Sequence, residues 1–187
     1  MVAKPKPVKK VKTKKRYMKR GKKTARQLLE EALDVAVRSI VFLRDGCCVC
    51  PAPEKGHTTI RQPGHLITRG KMSIRWDLRN VSEQCSGCNL RHVHQYQYYN
   101  SWFVQKFGME AWLLLNEDAE KSVKYSIEDL EEMLGQLRLI YSYQLEDKSF
   151  KPRFSQKQIL TGEWRSLRGI QVMTSYKLDT FSGAEAV

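Results

Sequence analysis

The sequence predicts an α+β fold: a small zinc core of two strands and a helix, packed with several α-helices. Two Cys-x-x-Cys pairs, Cys47/Cys50 and Cys85/Cys88, have the spacing of a tetrahedral zinc site. Between them lie short β-like segments. On either side, apolar residues repeat at helical spacing.

In order, Thr24 with Gln27 three residues on makes a capping-box pattern. Leu28, Leu29, Ala32, Leu33, Val35, Ala36, Ile40 and Leu43 then give a helix one apolar face, and Asp45-Gly46 ends it. The first cysteine pair follows on a knuckle with Pro51 and Pro53, and residues 54–63 read as a polar loop. Two strands are expected at about 65–68 and 73–78, joined by Arg69-Gly70-Lys71, with a loop through Asn80 leading to the second pair. Asn89 is expected to open a helix running to Phe107 and stopping at Gly108, followed by a short helix over about 109–120. Ser126, with Asp129 three residues later, caps a last helix whose stripe is Leu130, Met133, Leu134, Leu137, Ile140 and Tyr141. That stripe packs on the first helix or pairs two protomers. Beyond 148 no period is visible. The 187 residues therefore divide into a disordered basic arm (1–23), a zinc-stabilised domain with flanking helices (24–148) and a poorly defined C-terminal extension (149–187).

The net charge of +13 is unevenly placed: residues 1–23 hold twelve Lys or Arg and no acid, leaving 21 basic against 20 acidic residues elsewhere. Such an arm points to a polyanion partner, because Lys and Arg release counterions when they neutralise phosphates. No apolar run approaches the roughly 20 residues of a membrane span, and no apolar stretch follows the basic start as in a secretory signal. A cytoplasmic, reducing location follows, where five cysteines serve as metal ligands rather than disulfides.

The matched pairs assign Cys47, Cys50, Cys85 and Cys88 to one closed, structural zinc ion, fastening the helix before Cys47 to the helix after Cys88. Cys48 is the spare. It could compete through Cys48-x-Cys50, and His57 could replace one thiolate.

Within this frame lie Gly64-His65, Arg75-Trp76-Asp77, Asn80 and Cys88-Asn89. Phosphodiester hydrolysis needs a base, a cation on the phosphate and a group that holds the base in its tautomer. His65 suits the base, since a near-neutral imidazole accepts a proton. Asn80 suits support, by bonding His65 or by pinning its loop. The side-chain carbonyl of Asn89 suits a hard divalent ion.

The segment from Arg44 to about Glu120 resembles the phage NinG (Rap) recombination nucleases, an HNH-related family, and more loosely the phage resolvase endonuclease VII. The residues that carry the likeness are Arg44-Asp45, Gly64-His65, Arg69-Gly70, Arg75-Trp76-Asp77 with Asn80, Gln84-Cys85, Cys88-Asn89 and a Tyr-containing helix ending at Gly108. The resemblance implies a ββα-metal (HNH-like) fold held by a four-cysteine zinc, and a Mg²⁺- or Mn²⁺-dependent endonuclease acting on branched DNA such as Holliday junctions or D-loops. It implies phage or prophage origin in a bacterial host. On it, His65 is the general base, Asn80 its support and Asn89 a ligand of the catalytic ion. Many HNH sites carry an acid before the base where this chain has Gly64. A second metal ligand is sought among Asp77, His92 and His94, of which His92 shares a helix face with Asn89.

Arg69, Lys71, Arg75, Arg79 and Arg91 surround this site as phosphate contacts. Two symmetric cuts would suit a homodimer. The competing readings are a non-catalytic zinc-containing DNA-binding protein, indifferent to loss of His65, and a protein–protein adaptor with little salt-dependent DNA affinity.

Overall fold

Helix α1 (Ala25–Asp45) begins at the expected capping box: Thr24 Oγ1 accepts from Gln27 N at 3.2 Å, and Gln27 Oε1 accepts from Thr24 N at 2.9 Å. It ends at Gly46, whose φ of 73° is the left-handed conformation that glycine adopts without a Cβ clash. The computed structural model describes residues 21–51, 56–92 and 96–168. Most of the basic arm, together with His94 and the last nineteen residues, lies outside that range.

Strands β1 (Arg61–His65) and β2 (Val81–Cys85) form an antiparallel two-stranded sheet with Arg61 opposite Cys85 and His65 opposite Val81. Both differ from the expected positions. His65 closes the first strand rather than opening it, and Pro63 is tolerated because β1 has one neighbour only. Residues 73–78 are not a strand. They follow consecutive tight turns, with Ile74 N donating to Lys71 O, Asp77 N to Ile74 O and Asn80 N to Asp77 O. The alternation of Ile74, Trp76 and Leu78, which imitates a pleat, arises because the turning chain sends these side chains into two separate cores.

Helix α2 (Ser86–His92) follows β2 directly, so Asn89 lies inside it rather than at its start. Helix α3 (Tyr96–Glu120) breaks at Gly108, where φ is 87° and ψ 162°, as the glycine there predicts. Helix α4 (Ile127–Glu146) starts at the Ser126/Asp129 capping box. Beyond it the chain forms α5 (Gln156–Leu160) and a 3-10 helix (Glu163–Arg168). Ile159 and Trp164 are fully buried, and the Trp164 indole donates to Gln136 Oε1 at 3.0 Å. The α4 stripe packs on α1 in a core that also takes Trp76, Leu78 and Val81. A second core gathers Leu66, Ile74, Tyr99, Phe103, Leu115 and Ala119.

Arg44 holds these parts together. It is 4% exposed, and its guanidinium donates to Leu78 O (2.6 Å), Val81 O (2.6 Å), Pro152 O (3.2 Å) and Ser82 Oγ (3.3 Å). Asp45 takes the remaining donors, Nε and Nη2, at 2.8 Å each, and also accepts from Glu83 N at 2.9 Å. A buried cation is stable only when its donors are filled, and removing one partner strands the rest. Arg44→Met is expected to destabilise the chain by about 3–5 kcal/mol in urea unfolding, the range for a broken buried ion pair. A loss below about 1 kcal/mol would place the strength of this junction elsewhere.

Candidate metal centre and active-site cleft

The sulfurs of Cys48, Cys85 and Cys88 and a ring nitrogen of His57 all lie within 4.8 Å of one another. Zinc ligands at about 2.0–2.3 Å in a tetrahedron stand roughly 3.3–3.8 Å apart. His57 Nδ1 is 3.7 Å from Cys85 Sγ and 3.6 Å from Cys88 Sγ, so the cluster has the size and donor chemistry that zinc requires. The Cys50 thiol lies near Cys48 and Cys88 but outside that group of four. Cys47 is exposed and stands outside the group.

Local backbone accounts for the exchange of Cys47 for Cys48. Val49 N donates to Glu83 O at 2.9 Å, and the Val49 side chain packs on the second core. In a chain tied this way, residues on either side of Val49 turn to the opposite face, which pairs Cys48 with Cys50 and sends Cys47 away. The Cys50 thiol close to Cys48 draws the Cys48 pKa down to about 4. The hydrogen bond to Cys85 raises the His57 pKa.

The end of β1, helix α2 and helix α1 enclose a cleft of about 510 Å³. His65, Asn89, His92, Arg69, Arg75 and Asp34 all line it. The strand–strand–helix order thus brings three of the residues singled out by chemistry to one place. His65 Nε2 lies 3.1 Å from Arg75 O and donates to it, which leaves Nδ1 with the lone pair. Burial, partly opposed by that carbonyl and by Asp34, holds the His65 pKa below the usual histidine value. His92 Nε2 donates to Leu66 O at 3.2 Å, and its Nδ1 is buried with no hydrogen-bond partner. Burial lowers its pKa as well. The Asn89 amide nitrogen donates to Gln62 Oε1 at 2.8 Å, leaving its carbonyl oxygen as an acceptor. An imidazole nitrogen without a partner and an amide oxygen, on two residues that line one cleft, are donor types that a divalent ion takes.

Asn80 does not bond His65. It is fully buried and pins the loop after it: Oδ1 accepts from Ile67 N (2.8 Å), and Nδ2 donates to Ile67 O (3.0 Å) and Ile74 O (3.1 Å). Gly64 has no room for an acid, since a Cβ there would collide with the Gln84 amide. Asp77 lies apart from the cleft, with its carboxylate filled by Arg79 and by Gln156 N. Of the five expected cations, only Arg69 and Arg75 line the cleft. Lys71 pairs with Glu120, Arg79 with Asp77 and Asp118, and Arg91 donates to Cys88 Sγ at 3.4 Å. Sequence reasoning passed over Asp34, which grips Arg75. The signal was present: Glu30 and Asp34 are like charges four apart on one helix, an arrangement that calls for a cation between them.

The metal centre is expected to discriminate between neighbouring thiols. Cys47→Ser should keep stoichiometric zinc and the wild-type melting profile, whereas Cys48→Ser should lose zinc. Zinc lost from the first variant and retained by the second would reverse the ligand assignment.

Among the described residues no helix is long and apolar enough to cross a membrane. No curated protein and no solved structure matches the chain. The model of one family, described as Bacteriophage Lambda NinG protein, matches residues 3–145, about three quarters of the length and the whole of the cysteine cluster and cleft. The chain belongs to the bacteriophage lambda NinG protein family.

Proposed function

We propose that this protein is a metal-dependent DNA endonuclease of the HNH class, acting on branched DNA such as Holliday junctions or D-loops in phage recombination. The observation that carries the reading is the convergence of His65, Asn89 and His92 on one cleft, with His65 tethered through Nε2 so that Nδ1 is free to accept a proton. A neutral, oriented imidazole is the base that phosphodiester hydrolysis needs. Asn89 and His92 would hold a divalent ion, which when bound supplies positive charge for the scissile phosphate. Arg69, exposed at the cleft, meets the DNA backbone. The basic arm adds sequence-independent affinity. Zinc at the cysteine cluster, joined to α2 through Cys88, keeps Asn89 and His92 in register with β1.

A second reading, a non-catalytic zinc-containing DNA-binding protein, draws on the ion pairs that occupy Lys71 and Arg79 and on the twelve cations of the arm. On either reading, deleting residues 1–23 should weaken DNA binding and flatten its dependence on salt, because each neutralised phosphate contributes about 0.9 to the slope on duplex DNA. Unchanged affinity at physiological salt would remove the arm from the interface.

Cleavage of labelled four-way junction, flap and plain duplex DNA with Mg²⁺ or Mn²⁺ tests the nuclease reading. Preferential cutting of branched substrates is expected, and binding without cutting would favour the second reading. The pH profile carries its own sign. The active base is neutral and burial lowers its pKa, so the acid limb should fall below about pH 6.5, the ordinary histidine value. An acid limb well above that value would argue against His65 as the base.

A further inference from the structure

Helix α1 precedes the cysteine cluster and the hairpin, yet one of its side chains holds the residues that hold His65. Asp34 Oδ2 accepts from Arg75 Nη2 at 2.7 Å, and Oδ1 accepts from Arg75 Nε at 3.2 Å and from the Trp76 indole at 2.8 Å. Trp76 is fully buried, and its backbone N–H donates to Gln156 Oε1 at 2.7 Å. The peptide of residues 75 and 76 is thus held from three sides. Its carbonyl, Arg75 O, receives the His65 Nε2 proton. Glu30 adds a weaker hold on Arg75 Nη1 at 3.2 Å.

We infer that Asp34 is a positioning residue for His65, acting through the Arg75 guanidinium and the Trp76 indole to fix the carbonyl that selects the imidazole tautomer. This rests on the nuclease reading above for its consequence in catalysis, but not for the link itself. The physical case is direct. A neutral imidazole has two tautomers, and only a fixed acceptor at Nε2 keeps the lone pair on Nδ1. In the 66–80 connection, a series of turns without sheet pairing, the backbone bonds of the turns use the carbonyls of Thr68, Lys71, Ile74 and Asp77, whereas Arg75 O is placed by the side chains around it. The bidentate Asp34–Arg75 fork is the geometry that fixes a planar guanidinium. It also explains why a carboxylate lines a cleft meant for phosphate: Asp34 spends its oxygens on Arg75 and Trp76 and presents a neutralised pair.

The test uses the full chain with ¹⁵N-labelled histidine, the His65 signals being assigned by their loss in His65→Ala. In the wild type, His65 is expected to show one tautomer, protonated at Nε2. Asp34→Asn should give a mixture of tautomers while zinc content stays intact, and Asp34→Glu should restore the single form. Glu30→Gln, which leaves the Asp34 contacts in place, should keep the wild-type spectrum. With a cleaved substrate, Asp34→Asn should lower kcat about 10- to 100-fold, part of the roughly 10²–10⁴ that a positioned base contributes. KM for DNA should stay unchanged, and no further loss should appear in a His65→Ala background. Arg75→Gln cuts the same link from its other end and should reproduce the spectrum if Asp34→Asn does not fold. A wild-type tautomer pattern in a folded Asp34→Asn or Arg75→Gln protein overturns the proposal, as does an equal loss of kcat with His65 already removed. If no DNA is cut at all, the nuclease reading fails, while the spectra still decide whether Asp34 positions His65.

Discussion

Arg44 sits at the end of α1 with almost no exposure, and its donors go to the start of β2, to the loop before it and to Pro152 near α5. An unpaired guanidinium there would cost several kcal/mol, so the three segments have one arrangement in which all its donors are filled. That arrangement sets the hairpin against α1, and the hairpin sets everything else. With β2 held, Glu83 O takes the Val49 N–H, and Cys48 turns toward Cys85 and Cys88. With β1 paired to β2, His65 ends its strand at the mouth of the cleft, opposite Val81.

The two chemical centres are therefore one construction. Helix α2 carries Cys88 together with the cleft residues Asn89 and His92, so a metal at the cysteine cluster would brace the helix that presents them. The candidate base stands on the strand and the candidate ion ligands on the helix, with Asn80 stapling the connection between the strands through three backbone hydrogen bonds. The cleft wall on the far side comes from α1, outside the strand–strand–helix unit. Activity built on this geometry needs α1 intact for its side chains as well as for its packing.

Much of this was legible in the residues. Thr24 with Gln27, Ser126 with Asp129, and Gly108 set helix boundaries through local chemistry, and the structure places them where that chemistry predicts. The residues between the cysteine pairs were harder. Ile74, Trp76 and Leu78 have the period of a strand, but they sit in turns braced by Asn80, Asp34 and Gln156, partners that local pattern does not announce. The same holds for Cys48: a Cys-x-x-Cys count favours Cys47, whereas the backbone bond from Val49 to Glu83 decides which sulfurs converge. Beyond 148, the Ser155/Gln158 capping box and Trp164 were short signals in a segment without period, and their burial comes from packing on α4 and α1. His65, Asn89 and His92 were singled out because the chemistry of hydrolysis names the side chains it needs, and the structure brings them to one cleft, while the partners that orient them come from other parts of the chain.

The central claim is that His65 acts as a base in this cleft. It is tested most directly by comparing wild type with His65→Ala on a labelled four-way junction with Mg²⁺, with zinc content and DNA affinity measured in parallel. The account predicts that cleavage is lost while zinc and binding remain at wild-type levels. Equal cleavage by the two proteins would contradict it and would move the chemistry away from His65.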